Sequence, residues 1–100
     1  MKYELFDIVL LSPMGPKKGT LKIFKDDKAL SGIITILGFE NSFSGGSVDN
    51  NIYDFIVKIK SSVGDVSCWV TAEVRDNTLI AVANTNKGVM KLTGVKKEAD

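Results

Sequence analysis

The chain has 100 residues, with no histidine and one cysteine, and these two shortages exclude much of catalytic chemistry. Without histidine there is no Ser-His or Cys-His pair and no imidazole to act as a general base. Zinc, copper and iron sites lose their commonest ligand, and Cys68 alone cannot replace it. A single cysteine also excludes an intramolecular disulfide. We therefore expect neither a metal nor another cofactor.

Excess charge of one sign and long apolar segments are lacking as well. The formal net charge is +1, so no strong field attracts nucleic acid or an anionic membrane surface, and we expect neither as a partner. No segment is long enough to cross a bilayer as a helix. Glu4 and Asp7 interrupt the apolar start of the chain, which leaves no stretch long enough for an export signal. These exclusions predict a cytoplasmic protein.

Turn-forming residues recur about every ten positions, and the stretches between them are short and rich in β-branched and aromatic residues. Seven such turns separate roughly eight strands in hairpin order, and no stretch has the length and 3.6-residue period of a helix. An open sheet of eight strands would leave two unpaired edges, which closure removes. The sequence predicts an all-β, antiparallel up-and-down barrel, one domain over 1–100 with 96–100 as a frayed tail.

Two strands carry particular expectations about faces and bounds. In the second strand Leu21 and Ile23 are expected inside, and the lysines Lys22 and Lys25 outside. The fourth strand is expected over 39–44, because the glycine pair that follows is a poor strand former and is typical of a turn.

The strand around Trp69 has an apolar face over 68–74 that includes Cys68, and the alternation places Trp69 and Glu73 on the opposite, outer face. A shift by one residue would instead put both inside, where they would be the best pocket residues of the chain. Cys68 has no basic neighbours that would lower the pKa of its thiol, so we expect a buried apolar residue.

The meander spacing, two glycines inside strands and the single tryptophan resemble small up-and-down barrels of the avidin and lipocalin-like (calycin) kind. Bacterial barrel proteins of this length are similar too, with the same spacing of proline and glycine in the first turn. The residues that carry the resemblance are Pro13, Gly15, Gly19, Gly32, Trp69 and Gly94. A Gly-x-Trp motif near the start, found in lipocalins, is absent. The resemblance implies a barrel fold and says little about activity.

A few polar side chains that converge inside an apolar barrel are typical of a ligand pocket. Tyr53 lies on the predicted inner face of its strand, Asp7 lies among apolar neighbours, and Ser31 and Asn41 complete the candidate set. The alternative interpretation makes Tyr53 a core aromatic residue whose hydroxyl reaches the rim, with Asp7 facing water.

Three functions are consistent with these features. The first is a protein that binds an apolar or aromatic small molecule inside the barrel. The second is a cofactor-free isomerase or cyclase that uses Tyr53 with Asp7 or Glu73 as acid and base. The third is a structural or assembly subunit whose barrel is filled. Fold-level analogy supports the first, although fold alone is a weak guide to function.

A homodimer is also expected, because Trp69, Val82 and Val89 lie on the predicted outer face of consecutive strands. An exposed apolar patch of this kind is usually covered by a partner, most often through two-fold pairing.

Overall fold

The computed structural model describes residues 3–62 and 64–97, and within these ranges the secondary structure is entirely β. Most strands are eight to ten residues long and joined by two-residue turns, as the spacing of turn residues predicts. The strands are β1 (Tyr3–Ser12), β2 (Gly15–Asp26), β3 (Ala29–Ile36), β4 (Phe39–Asp49), β5 (Ile52–Ile59), β6 (Val66–Arg75), β7 (Thr78–Thr85) and β8 (Gly88–Lys96).

Each strand pairs antiparallel with the next, and β1 also pairs with β8, so the sheet closes into a barrel. The closing ladder runs from Phe6 opposite Lys96 to Leu11 opposite Lys91. The predicted all-β, up-and-down barrel of eight strands is confirmed. Of the predicted frayed tail, Lys96 ends β8, and the backbone N–H of Lys97 donates to the carbonyl oxygen of Leu5 at 2.7 Å. Residues 98–100 lie outside the described residues.

The connections divide the barrel into two ends. The Glu4 end holds the start of β1, the turns at 27–28, 50–51 and 76–77, and the last residue of β8. The Lys87 end holds the turns at 13–14, 37–38 and 86–87 and the longer β5–β6 connection. Leu37 and Gly38 both have positive φ, 57° and 84°, as the tightest hairpin turns require.

Alternation along the strands decides which side chains fill the barrel. In β6, Cys68 is buried and Trp69 is 50% exposed, so the predicted outward register of this strand is confirmed. The expected outward position of Lys25 is wrong. Residues 21, 23 and 25 share one face of β2, because side chains alternate with a period of two. Lys25 therefore follows Leu21 and Ile23 and reaches Tyr53 at the Glu4 end.

β4 extends to Asp49, five residues beyond its predicted end, because the glycine pair forms a bulge and not a turn. The register shifts between Leu30 and Gly32 of β3, where two residues of β4 oppose one of β3. Gly45, in the bulge, adopts φ 76°, which a glycine tolerates readily. Gly32 has no room for a Cβ, which would collide with the carbonyl oxygen of Lys22, so this strand position requires glycine.

The ladder between β4 and β5 is short, pairing Ser47–Asp49 with Ile52–Asp54. Beyond it, side chains join the two strands. The rings of Phe43 and Phe55 stack with centroids 4.2 Å apart, and the backbone N–H of Lys60 donates to the Oδ1 of Asn41 at 2.9 Å. We call this junction the β4–β5 seam.

The outer face of β5 to β8 carries exposed apolar side chains. Ile56 lies directly opposite Trp69, and Val82 lies diagonal to it, because Trp69 pairs with Asn84. Val89 pairs with Asn84 on the other side and is also exposed. The three residues of the predicted dimer contact therefore all face outward. No helix in the described ranges is long and apolar enough to cross a membrane.

Candidate functional site

The barrel encloses a cavity of about 460 Å³ that opens at the Lys87 end. This volume falls within the roughly 300–1,000 Å³ of small-molecule pockets. Its wall is formed by every strand except β4 and by the connections at that end. The lining residues are Leu10, Ser12, Pro13, Met14, Lys17, Ile34, Leu37, Phe55, Val57, Ile59, Ser61, Ser62, Val66, Cys68, Val70, Ala83, Lys87, Met90 and Leu92.

The cavity lies at one end because the inner side chains differ in size along the barrel. Towards the Glu4 end the interior is filled by Phe6, Leu21, Ile23 and Leu79, all without solvent exposure. Towards the Lys87 end, short side chains occupy inner positions, among them Cys68 on β6 and Ala83 on β7. Interiors are otherwise packed almost without voids, so these short side chains leave the space that a bound molecule would fill.

The deep wall of the cavity offers dispersion contacts and almost no hydrogen-bonding side chains. The polar lining residues are serines and lysines near the mouth, and no described lining residue is acidic. Ser12 Oγ donates to the carbonyl oxygen of Gly15 at 2.6 Å and so serves its own turn. The arrangement suits the apolar body of a ligand and gives no acid–base pair on the wall.

Cys68 lies on this wall and is buried, as predicted. Burial raises the pKa of the Cys68 thiol, which keeps it protonated and poorly nucleophilic at neutral pH. Its Sγ lies 3.7 Å from the carbonyl oxygen of Val66. As the only cysteine of the chain, Cys68 acts in packing and gives a natural chemical reporter for the cavity.

A cluster of charged side chains closes the opposite end of the barrel. The hydroxyl of Tyr53 donates to Glu4 Oε1 at 2.6 Å, and the ammonium of Lys25 donates to the Tyr53 oxygen at 3.1 Å. Lys96 Nζ donates to Glu4 Oε2 at 2.7 Å, and Lys25 Nζ lies 3.3 Å from Glu4 Oε1. We call these four residues the ionic layer.

Contacts within the ionic layer shift the pKa values of Glu4, Lys25 and Tyr53. Burial alone would raise the pKa of Glu4, but hydrogen bonds from Lys96 and Tyr53 and the charge of Lys25 outweigh it and lower that pKa. Burial would lower the pKa of Lys25, yet its contacts with Tyr53 and Glu4 raise it. Burial and the hydrogen bond to Glu4 raise the pKa of Tyr53, against the opposing effect of Lys25. At neutral pH the layer holds one carboxylate, two ammonium groups and a neutral phenol.

Three predicted site residues would form the acid–base set of an enzyme, and the structure separates them. Tyr53 is buried with its hydroxyl at the rim, as the alternative interpretation has it. Asp7 is exposed on the outer face, 3.8 Å from the ammonium of Lys97. Glu73 accepts hydrogen bonds from Asn51 and Arg75, also on the outer face. The carboxylate beside Tyr53 is that of Glu4, which is not among the predicted site residues.

The other three predicted site residues also lie apart. Asn41 is buried in the β4–β5 seam and Trp69 is on the outer surface. Ser31 lines a second cavity of about 420 Å³, formed by β2, β3 and β4 beside the bulge. The residues that line it are Phe24, Lys25, Asp26, Ala29, Leu30, Ser31, Ser44 and Gly45. None of the six predicted residues lines the larger cavity, and a ligand contact by any of them stays a prediction.

Sequence reasoning missed the residues that shape the larger cavity, although one signal was available. Lys17 lies an even number of positions from Leu21 and Ile23 on the same strand, so alternation alone places its side chain on the inner face. Nothing in the sequence shows that Cys68 and Ala83 leave a void, because this depends on which residues meet across the barrel.

Comparison with known proteins finds no matching family model, no similar curated protein and no similar solved structure. Within the described residues no group of three or more Cys, Asp or Glu side chains is arranged to hold a metal ion. The geometry of the cavity is therefore the main guide to function.

Proposed function

We propose that the protein binds an apolar or aromatic small molecule in the cavity at the Lys87 end of the barrel. The observation that carries this proposal is the cavity of about 460 Å³ with an apolar wall. A methylene group is about as large as a water molecule, whose share of liquid volume is roughly 30 Å³. The cavity thus suits a ligand of about ten to fifteen heavy atoms.

The energetics of the wall support an apolar ligand over a polar one. Side chains such as Phe55, Val57 and Leu92 cannot replace the hydrogen bonds that a polar molecule gives up on leaving water. Burial of apolar surface contributes about 25 cal/mol per Å² removed from water. The ligand therefore gains affinity from its hydrocarbon surface.

The two alternative functions have less support. A filled barrel would have no room for a ligand, whereas this interior has a large cavity. An isomerase or cyclase built on Tyr53 with Asp7 or Glu73 would need these groups within hydrogen-bond reach of one substrate. Both carboxylates lie outside the barrel, while the Tyr53 hydroxyl bonds to Glu4.

Cys68 allows a direct test with the intact protein. The reaction of its thiol with Ellman's reagent is measured at alkaline pH, where more of the thiol is ionised, with and without 1-decanol, a neutral apolar probe. We expect decanol to slow the reaction in a saturable manner, because it occupies the space in front of the thiol. Native mass spectrometry of freshly purified protein should show a bound small molecule that unfolding releases.

A filling variant and a matched control define the site. Ala83→Phe places a ring in the cavity and should abolish protection by decanol, with Ala83→Leu as a milder filler should the ring disturb folding. Val82→Phe adds the same ring on the outer face of the same strand and should leave protection intact. Decanol that fails to protect Cys68 in the wild type, or protects it equally in a folded Ala83→Phe protein, would refute the proposal.

A further inference from the structure

Two lysines lie at the mouth of the apolar cavity, and no described residue of its lining carries a negative charge. Lys17 stands near the start of β2, and Lys87 lies in the β7–β8 turn. Ammonium groups at the entrance add no affinity for a wholly apolar ligand, because they interact favourably with water or an anion.

The orientation of Lys17 is set by the sheet. It pairs with Leu10 of β1, whose side chain is buried on the inner face, and directly opposed residues in a ladder point to the same side. Lys17 is accordingly half-buried, whereas Lys18, the next residue, is exposed on the outer face. The register of β1 and β2 therefore directs the Lys17 side chain inward.

Neither lysine at the mouth has an ion-pair partner among the described residues. Among residues 3–62 and 64–97 the ion pairs of lysine involve Lys25, Lys96 and Lys97, and no carboxylate lies within pairing distance of Lys17 or Lys87. The ionic layer at the opposite end shows how this chain treats inward lysines elsewhere, since Lys25 and Lys96 both contact Glu4. The described lining of the mouth contains no such carboxylate.

We infer that the ligand is an amphipathic anion, with its apolar body in the cavity and its negatively charged group at the mouth between Lys17 and Lys87. The inference rests on the proposed function and names the chemical class of its ligand. As the Glu4 carboxylate pairs with Lys25 and Lys96 at the opposite end, the anion would pair with the two lysines at the mouth. It stays partly in water there, so its desolvation is small, while the ammonium groups gain a partner.

Three probes with the same ten-carbon chain separate the contribution of the head group to affinity from that of the apolar chain. Decanoate, 1-decanol and decyltrimethylammonium are each titrated against the neutral dye Nile red bound to the protein. The two ionic probes are kept below their critical micelle concentrations, and decanol is kept below its solubility limit. With two partly exposed ion pairs, decanoate should bind about two- to thirtyfold more tightly than decanol. The cationic probe should bind more weakly than decanol. Added salt should reduce the preference for decanoate, because salt screens exposed charges.

The double variant Lys17→Gln/Lys87→Gln should remove the preference for decanoate and leave the affinity for decanol within about twofold of wild type. Lys18→Gln is the matched control on the outer face and should keep the preference. Equal binding of decanoate and decanol, or a preference that survives the double variant, would overturn the inference and leave the proposed function standing. Failure of all three probes to displace the dye or to protect Cys68 would refute both.

Discussion

Replacing Asn41 with alanine tests whether this buried amide is a structural clamp of the barrel or a ligand residue. Asn41 is 4% exposed and makes three hydrogen bonds. Its Nδ2 donates to the carbonyl oxygens of Ile34 and Phe39, both at 3.2 Å, and its Oδ1 accepts from the backbone N–H of Lys60 at 2.9 Å. The last bond crosses the β4–β5 seam, where the backbone ladder is short.

The size of the effect follows from these bonds. A hydrogen bond contributes about 0.5–1.5 kcal/mol net, and the two longer bonds of Asn41 belong at the lower end of that range. Lys60 is exposed, so water can replace the lost partner of its N–H and limit the penalty. We expect Asn41→Ala to lower the free energy of unfolding by about 2 kcal/mol. For a domain of this length that is a fall in Tm of about 8–16 °C.

Thermal unfolding followed by circular dichroism measures this change, with Ser42→Ala as the control. Ser42 is the next residue of β4, is exposed, and should change stability by less than about 0.5 kcal/mol. Ligand binding gives the second readout, because Asn41 does not line the larger cavity. Decanol should protect Cys68 equally well in the folded Asn41→Ala protein. A variant as stable as wild type, or one that stays folded but loses decanol binding, would refute the structural role.

Two further predictions concern the ionic layer and the outer face. The pKa of Glu4 is lowered from 4.5, so its contribution to stability is present above pH 4.5 and is lost as the pH falls below that value. The pKa of Tyr53 is raised from 10.0, so its contribution is present below pH 10.0 and is lost as the pH rises above it. The urea concentration at the midpoint of unfolding should therefore fall below pH 4.5 and above pH 10.0. Glu4→Gln should reduce the fall at acid pH. An equal fall at acid pH in this variant would exclude Glu4 as its source. For the predicted homodimer, Trp69→Lys should convert a sedimenting dimer to monomer, and a wild type that remains monomeric at high concentration would end that prediction.

Much of the fold was predictable because alternation and turn chemistry are local properties of the sequence. The faces of β6 follow from the period of two around Trp69, and the turn at Asp76 follows from a residue that tolerates positive φ, here 55°. The bulge in β4 was not predictable in the same way. Gly45 and Gly46 read as a turn, and only their pairing with β3 shows that the strand continues through them.

The candidate site was harder to predict, because it depends on residues that meet across the barrel. Tyr53 was correctly placed on an inner face, but its partner Glu4 is 49 positions away in the chain. Asn41 was a candidate pocket residue because polar groups inside an apolar barrel are typical of a ligand site. In the structure its amide bonds to backbone groups of the barrel itself. A void depends on the summed volumes of inner side chains from several strands, and the pattern of one strand does not predict that sum.

Each end of the barrel has at least one lysine on an inner position of a strand, but only the Glu4 end provides a carboxylate for it among the described residues. This difference sets the orientation of the proposed ligand. At the Glu4 end, two lysines pair with one carboxylate whose side chain is only 12% exposed, and the filled core beneath it leaves no passage. At the Lys87 end the lysines face a cavity whose described lining contains no carboxylate. The proposed ligand would therefore enter at the Lys87 end, with its apolar part first. Any charge that it carries must stay at the mouth, where a negative group meets ammonium partners and a positive one is repelled.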